Sequence, residues 1–137
     1  MHKKWMFVCL FFFAIPISYA ETCPSVRDIK QLTLHGFKMV DSDTNQPLPP
    51  KRMTLFKKKI KAFALAEWVD HLNQEGTIHC YYRDQNGSEL ETYLAKKYFI
   101  PVNANQFWYK VSGSMHCAAP IQACIFQSTH AHQLATK

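Results

Sequence analysis

The sequence concentrates its charge in one place. Lys51-Arg52-Met53-Thr54-Leu55-Phe56-Lys57-Lys58-Lys59-Ile60-Lys61 holds six cations, and no acid occurs between Asp43 and Glu67. A local field of this kind attracts polyanions such as nucleic acid, acidic glycan, lipopolysaccharide or an anionic membrane face. Leu55, Phe56 and Ile60 offer apolar contact to such a surface. The plainer alternative is a solvated edge, since lysines shield exposed strand edges from aggregation.

The other reactive residues form no catalytic set. The histidines beyond residue 20 are His35, His71, His79, His116, His130 and His132. His130 and His132 present two ligands on one side of an extended chain, but no third ligand has motif-like spacing, so no metal is expected. Ser112-Gly113-Ser114 carries hydroxyls near His116, yet it is not a G-x-S-x-G elbow and reads as a turn. Cys117 beside His116 resembles a thiol nucleophile, and pairing in a disulfide removes the thiolate. Glu89 and Glu91 lie two apart on one strand face, as paired carboxylates do, but facing Arg83 and solvent they read as a solvated edge. The sequence therefore points to a non-enzymatic chain with no cofactor.

The cysteines depend on the address. Residues 1–20, MHKKWMFVCLFFFAIPISYA, begin with Lys3 and Lys4, run apolar from Trp5 to Ile17 and end in Ser18-Tyr19-Ala20. These are the three parts of a secretory signal peptide cut before Glu21. The apolar run is about 13 residues, short of the ~20 that span a bilayer, and no later stretch is long and apolar enough. Cleavage removes Cys9 and leaves Cys23, Cys80, Cys117 and Cys124. Four cysteines in an oxidising compartment imply two disulfides. Three pairings are open; loop closure favours Cys117–Cys124 with Cys23–Cys80. The formal charge of +6 on 137 residues becomes 14 basic against 10 acidic residues. Outside 51–61 the mature chain is 8 basic against 10 acidic, so the surplus belongs to that run. The expected location is periplasmic or secreted.

A chain of this size builds one small domain, here 21–127, followed by a tail from Ser128. Pro24 and Ser25 open a short helix with Val26 and Ile29 at helical spacing. Leu32 and Leu34, then Phe37 and Met39, alternate on opposite parities, which predicts a strand bulged at Gly36. Asp41 to Pro50 is a loop by composition. Residues 51–75 fit a helix or a strand. As one helix, the lysines at its start and Asp70 and Glu75 at its end oppose the macrodipole, which favours an extended segment near 60–69.

Thr77–Arg83 and Glu89–Ala95 predict a hairpin turning on Gln85-Asn86-Gly87, with Gly87 left-handed. That register places Arg83 opposite Glu89, Tyr82 opposite Leu90, Cys80 opposite Thr92 and Ile78 opposite Leu94. Further strands are expected at Gln106–Ser112 and Ile121–Gln127. Trp68, Tyr82, Phe107, Tyr109 and Phe126 are assigned to the core, and Tyr81, Tyr93 and Trp108 to opposite faces. The expected class is α+β: an N-terminal helix and an antiparallel meander of about five strands, stapled by disulfides.

Several landmarks together, Thr22-Cys23-Pro24-Ser25-Val26 with Ile29, Ala66-Glu67-Trp68, Cys80-Tyr81-Tyr82, Trp108 and Cys124-Ile125-Phe126, resemble a family of small exported domains of unknown function from Gram-negative bacteria. The resemblance implies a signal peptide, paired cysteines and a stand-alone β-rich domain, and transfers no catalytic residue. The basic run lies outside these landmarks. A looser similarity to periplasmic lysozyme inhibitors rests on Ser112-Gly113-Ser114. The expected function is a non-enzymatic binding module that contacts a polyanion or protein through Lys51, Arg52, Lys57, Lys58, Lys59 and Lys61. Inhibition of an envelope-directed enzyme such as lysozyme is the alternative.

Overall fold

A computed structural model describes residues 20–70, 75–102 and 106–129. Residues 1–19 of the expected signal peptide (1–20), His71, and residues 130–137 of the expected tail, with His130 and His132, lie outside the described residues.

Strand β1 (Ala20–Glu21) leads into helix α1 (Val26–Lys30). Ser25 caps α1: its Oγ accepts from the Asp28 backbone N–H at 3.1 Å, satisfying one of the free donors at the helix start. Residues 32–36 do not form the expected bulged strand. Leu32 and His35 take positive φ beside Gly36, and the Phe37 N–H closes a turn on the Leu34 carbonyl. Strand β2 begins only at Lys38 (Lys38–Asp41).

The 51–75 ambiguity resolves into two elements. Helix α2 (Pro50–Lys59) starts at a proline, whose missing N–H costs nothing in the first turn. It ends on Lys57, Lys58 and Lys59, where cations complement the macrodipole. Ile60 caps it with extended backbone and is fully buried. Strand β3 (Ala62–Val69) follows, as the extended reading expects. The basic run is thus a helix rather than a strand edge. A helix that stops at Lys59 never meets the acids at 70 and 75, so the dipole conflict does not arise.

Strands β4 (Thr77–Arg83) and β5 (Glu89–Lys96) form the expected hairpin. Gly87 has φ +78°, and Asp84 N–H donates to the Ser88 carbonyl at 2.9 Å. Arg83 faces Glu89, but the register shifts between Tyr81 and Arg83. Cys80 therefore faces Leu94 rather than Thr92, and Ile78 faces Lys96 rather than Leu94. The slip is two residues, so every side chain keeps its face and the sorting into core and surface survives.

Strand β6 (Phe99–Pro101) is not legible in the sequence. The strand expected over 106–112 shrinks to β7 (Tyr109–Val111), which turns through Ser112 and Gly113, both at positive φ, into β8 (Ser114–Cys117). A 3-10 turn (Ile121–Ala123) and β9 (Phe126–Ser128) replace the last predicted strand. Ser128, expected in the tail, pairs with Phe99.

The strands make two antiparallel sheets, in the orders β2-β5-β4-β3-β8-β7 and β1-β9-β6. Among the described residues the architecture is mostly antiparallel sheet with two short helices and two disulfides, a broader arrangement than a five-stranded meander.

The core lies on the face of the larger sheet that carries Ala66, Ile78, Cys80, Tyr82 and Leu94, all fully buried. Phe56 of α2 and Phe63 meet the Tyr82 ring edge-on at 6.3 and 5.9 Å. The Tyr82 hydroxyl donates to the Pro24 carbonyl at 2.6 Å. Phe126 packs edge-on against Phe37 and Phe99. Trp108 is buried, not outward, because its indole N–H donates to the Ile125 carbonyl at 3.0 Å. Phe107 and Tyr109, assigned to the core, are exposed, since only 109–111 is strand and β7 lies at the sheet edge. Gly76, at φ +67°, lies so close to β6 that an added Cβ would stand 2.5 Å from the Phe99 carbonyl oxygen.

The bridges are Cys23–Cys80 and Cys117–Cys124, spanning 57 and 7 residues. Chain entropy makes the long loop worth about 4 kcal/mol and the short one about 2 kcal/mol. Replacing Cys23 and Cys80 together by Ala therefore lowers the Tm more than replacing Cys117 and Cys124. Thermal unfolding of the two variants checks this; the reverse order contradicts it.

Candidate functional site

Two candidate surfaces lie on opposite sides of the larger sheet. The first is α2. Phe56 anchors it in the core and Met53 packs against that core. Arg52 is tied to the Asp41 carboxylate. The Asp43 N–H at 3.0 Å and then Arg52 hold the Asp41 carboxyl below its ordinary value, against the effect of burial. Lys51, Lys58, Lys59 and Lys61 are exposed and Lys57 is half-buried. Among the described residues, these five lysines have no acidic partner within ion-pair distance. Leu55 lies among them at 48% exposure. Beneath the helix, Arg52, Leu55 and Lys59 line a groove of about 330 Å³ with Glu89 and Glu91 of β5. Both glutamates are exposed, and Glu89 faces Arg83.

The second surface is centred on Glu67 of β3. Glu67 lies between His79 of β4 and His116 of β8 in register. Its Oε1 contacts His79 Nδ1 at 3.1 Å and accepts from the Tyr81 hydroxyl at 3.2 Å. Its Oε2 contacts His116 Nε2 at 3.0 Å. The carboxylate and both imidazoles are 16–22% exposed. Tyr93 of β5 packs on His79 and Tyr81 at 4.7 and 5.6 Å, and Tyr109 of β7 meets His116 at 6.0 Å. The Tyr93 hydroxyl donates to Asn45 Oδ1 at 3.1 Å. Rings and one carboxylate thus cross five strands on the face opposite the core.

The electrostatics follow from this packing. The hydrogen bond from His79, then that from His116, bring the Glu67 carboxyl down to about 2, against the opposing effect of burial. Burial first, and the Glu67 charge second, push the Tyr81 and Tyr93 hydroxyls upward.

A carboxylate that orients an imidazole is half of a general-base system. The hydroxyl and thiol that the sequence places near His116 do not complete it. Ser114 Oγ donates back to the Val111 carbonyl at 2.9 Å, and Cys117 is bridged to Cys124. Among the described residues, no group of three or more His, Cys, Asp or Glu side chains is arranged to hold a metal ion.

Sequence reasoning missed the Glu67 cluster. Its signal was a lone acid in an apolar strand, with His79 at the matching outward position of the next strand. His116 was out of reach because β8 was not recognised as a strand.

The folded-state value of Glu67 lies below its unfolded one, so its contribution is complete above about pH 4.5 and disappears as the pH falls toward about 2. With allowance for solvent screening, the loss is of order 1–2 kcal/mol. Glu67→Gln removes this contribution at neutral pH and flattens the acid limb of the stability curve between those values. Urea unfolding of both proteins as a function of pH measures it; parallel curves would contradict the assignment.

No family model matches the chain, and no curated protein or solved structure matches it.

Proposed function

We propose that this chain is an exported, non-enzymatic binding module that engages a polyanionic surface through α2 and the residue that follows its cap. The observation that carries the reading is the set of five lysines, Lys51, Lys57, Lys58, Lys59 and Lys61, without an acidic partner among the described residues. Cations already neutralised within a protein have little to offer an external anion. Unpaired ones release the polyanion's counterions on binding, and that release drives association. Leu55 sits exposed beside them and adds apolar contact. Arg52 is excluded from the binding set because Asp41 already holds it.

The exported address is supported by the basic, apolar and small-residue order of residues 1–20 and by the likeness to small exported domains of Gram-negative bacteria. Two disulfides fit an oxidising compartment. Among the described residues no helix is long and apolar enough to cross a membrane.

Retention on immobilised heparin tests the reading. The protein is expected to bind at low salt and to elute on a salt gradient. Replacing Lys57, Lys58, Lys59 and Lys61 together by Gln weakens binding by about tenfold or more at low salt and flattens the salt dependence. Elution unchanged by the fourfold substitution would overturn it.

A further inference from the structure

Beyond Tyr93 the outward face of the larger sheet opens into a cavity, and the strand registers fix which side chains meet there. Ala95 of β5 pairs with Lys38 of β2 on one side and with His79 of β4 on the other. Along the chain its neighbours of the same parity are Tyr93 and Lys97. All four side chains are longer than a methyl group, so the surface dips at Ala95. Val40 pairs with Tyr93 and so stands beside Lys38 on the same face of β2. The dip is a cavity of about 480 Å³ whose lining includes Lys38, Val40, Thr77, Ala95, Lys97 and Tyr98. That volume suits a small organic molecule.

The lining has two characters. Val40, Ala95, the Tyr98 ring and the lysine stems offer apolar surface. Cations stand around them. Lys96, which also borders the cavity, is committed to Glu21 and to the His35 carbonyl. Lys97 lies 3.8 Å from Glu75, and both side chains are half exposed, so water screens that contact. Lys38 is exposed and, among the described residues, has no acidic partner within ion-pair distance. A cationic ligand meets Lys38 and Lys97. A small hydrated anion leaves Val40 and Ala95 uncovered, and an uncharged apolar molecule leaves Lys38 unanswered. An anion carried on an alkyl chain satisfies both requirements.

We propose that this cavity is a binding site for the carboxylate of a medium-length alkyl chain. The chain lies over Ala95 between Val40 and Tyr98, and the carboxylate accepts from the Lys38 ammonium. The site is on the opposite side of the sheet from α2 and acts independently of polyanion binding there.

The test is an NMR titration of the ¹⁵N-labelled processed chain at neutral pH with sodium octanoate, hexanoate and butyrate, and with n-hexanol as the uncharged control. Octanoate is expected to shift the backbone amides of Lys38, Val40, Ala95 and Lys97 saturably. Each CH₂ removed from the ligand weakens binding by about two- to fourfold. Lys38→Gln alters an exposed side chain and is expected to weaken hexanoate several-fold while leaving n-hexanol unchanged. Ala95→Leu fills the dip and is expected to abolish the shifts. Replacing Lys57, Lys58, Lys59 and Lys61 together by Gln leaves octanoate binding unchanged. The chain-length series and Lys38→Gln stand even if Ala95→Leu does not fold. Shifts centred on residues 51–61, equal affinity for n-hexanol and hexanoate, affinity independent of chain length, or no saturable shift with octanoate would each overturn the proposal.

Discussion

Strand β4 is where the molecule is fastened. Cys80 and Tyr82 leave it on the same face, two residues apart, and both reach the segment before α1. Cys80 is bonded to Cys23, and the Tyr82 hydroxyl donates to the Pro24 carbonyl at 2.6 Å. The two links differ in size. The bridge contributes about 4 kcal/mol by closing a 57-residue loop. The buried hydrogen bond contributes about 1 kcal/mol, although leaving its hydroxyl unpaired would cost about 1–3 kcal/mol. Together they hold the N-terminal segment against the middle of the sheet, and α1 and its buried Ile29 follow from it. The Tyr82 ring in turn seats Phe56, and so places α2.

This arrangement divides the larger sheet into two chemistries. On the core face, the alternation of Ala66, Cys80, Tyr82 and Leu94 excludes water. On the other face, the positions between them bring Glu67, His79, Tyr81 and Tyr93 into one cluster. Adjacent Tyr81 and Tyr82 serve opposite ends: one hydroxyl binds the Glu67 carboxylate and the other secures the N-terminal segment. The basic helix lies on the core side, where Phe56 fixes it. A lysine-rich surface and a ring-rich surface centred on one carboxylate are therefore kept apart by the thickness of the sheet.

Local chemistry was legible in the sequence, and long-range assembly was not. The Ser25 cap, the left-handed Gly87 and the extended β3 are decided within a few residues by hydroxyl placement, backbone freedom and alternation. The cysteine spacing favours the observed pairing because short loops close cheaply. The missed features each depend on a distant partner. Residues 32–36 turn instead, and Lys96 Nζ of the neighbouring β5 donates to the His35 carbonyl there. The hairpin register slips between Tyr81 and Arg83 although the turn itself is as expected. Trp108 turns inward because the Ile125 carbonyl meets its indole. Strands β6 and β9 are too short to show alternation and are defined by pairing within the smaller sheet, where β9 lies between β1 and β6. The Glu67 cluster was hidden for the same reason: its members come from five strands, and β8 was not among the expected strands.

The separation of the two surfaces is open to direct mapping. Backbone amide shifts on addition of a heparin-derived oligosaccharide would locate the polyanion site residue by residue. The account predicts shifts confined to residues 51–61 and the groove beneath them, with the amides of Glu67, His79 and His116 unmoved. Shifts centred on Glu67, His79 and His116, with α2 unchanged, would contradict it.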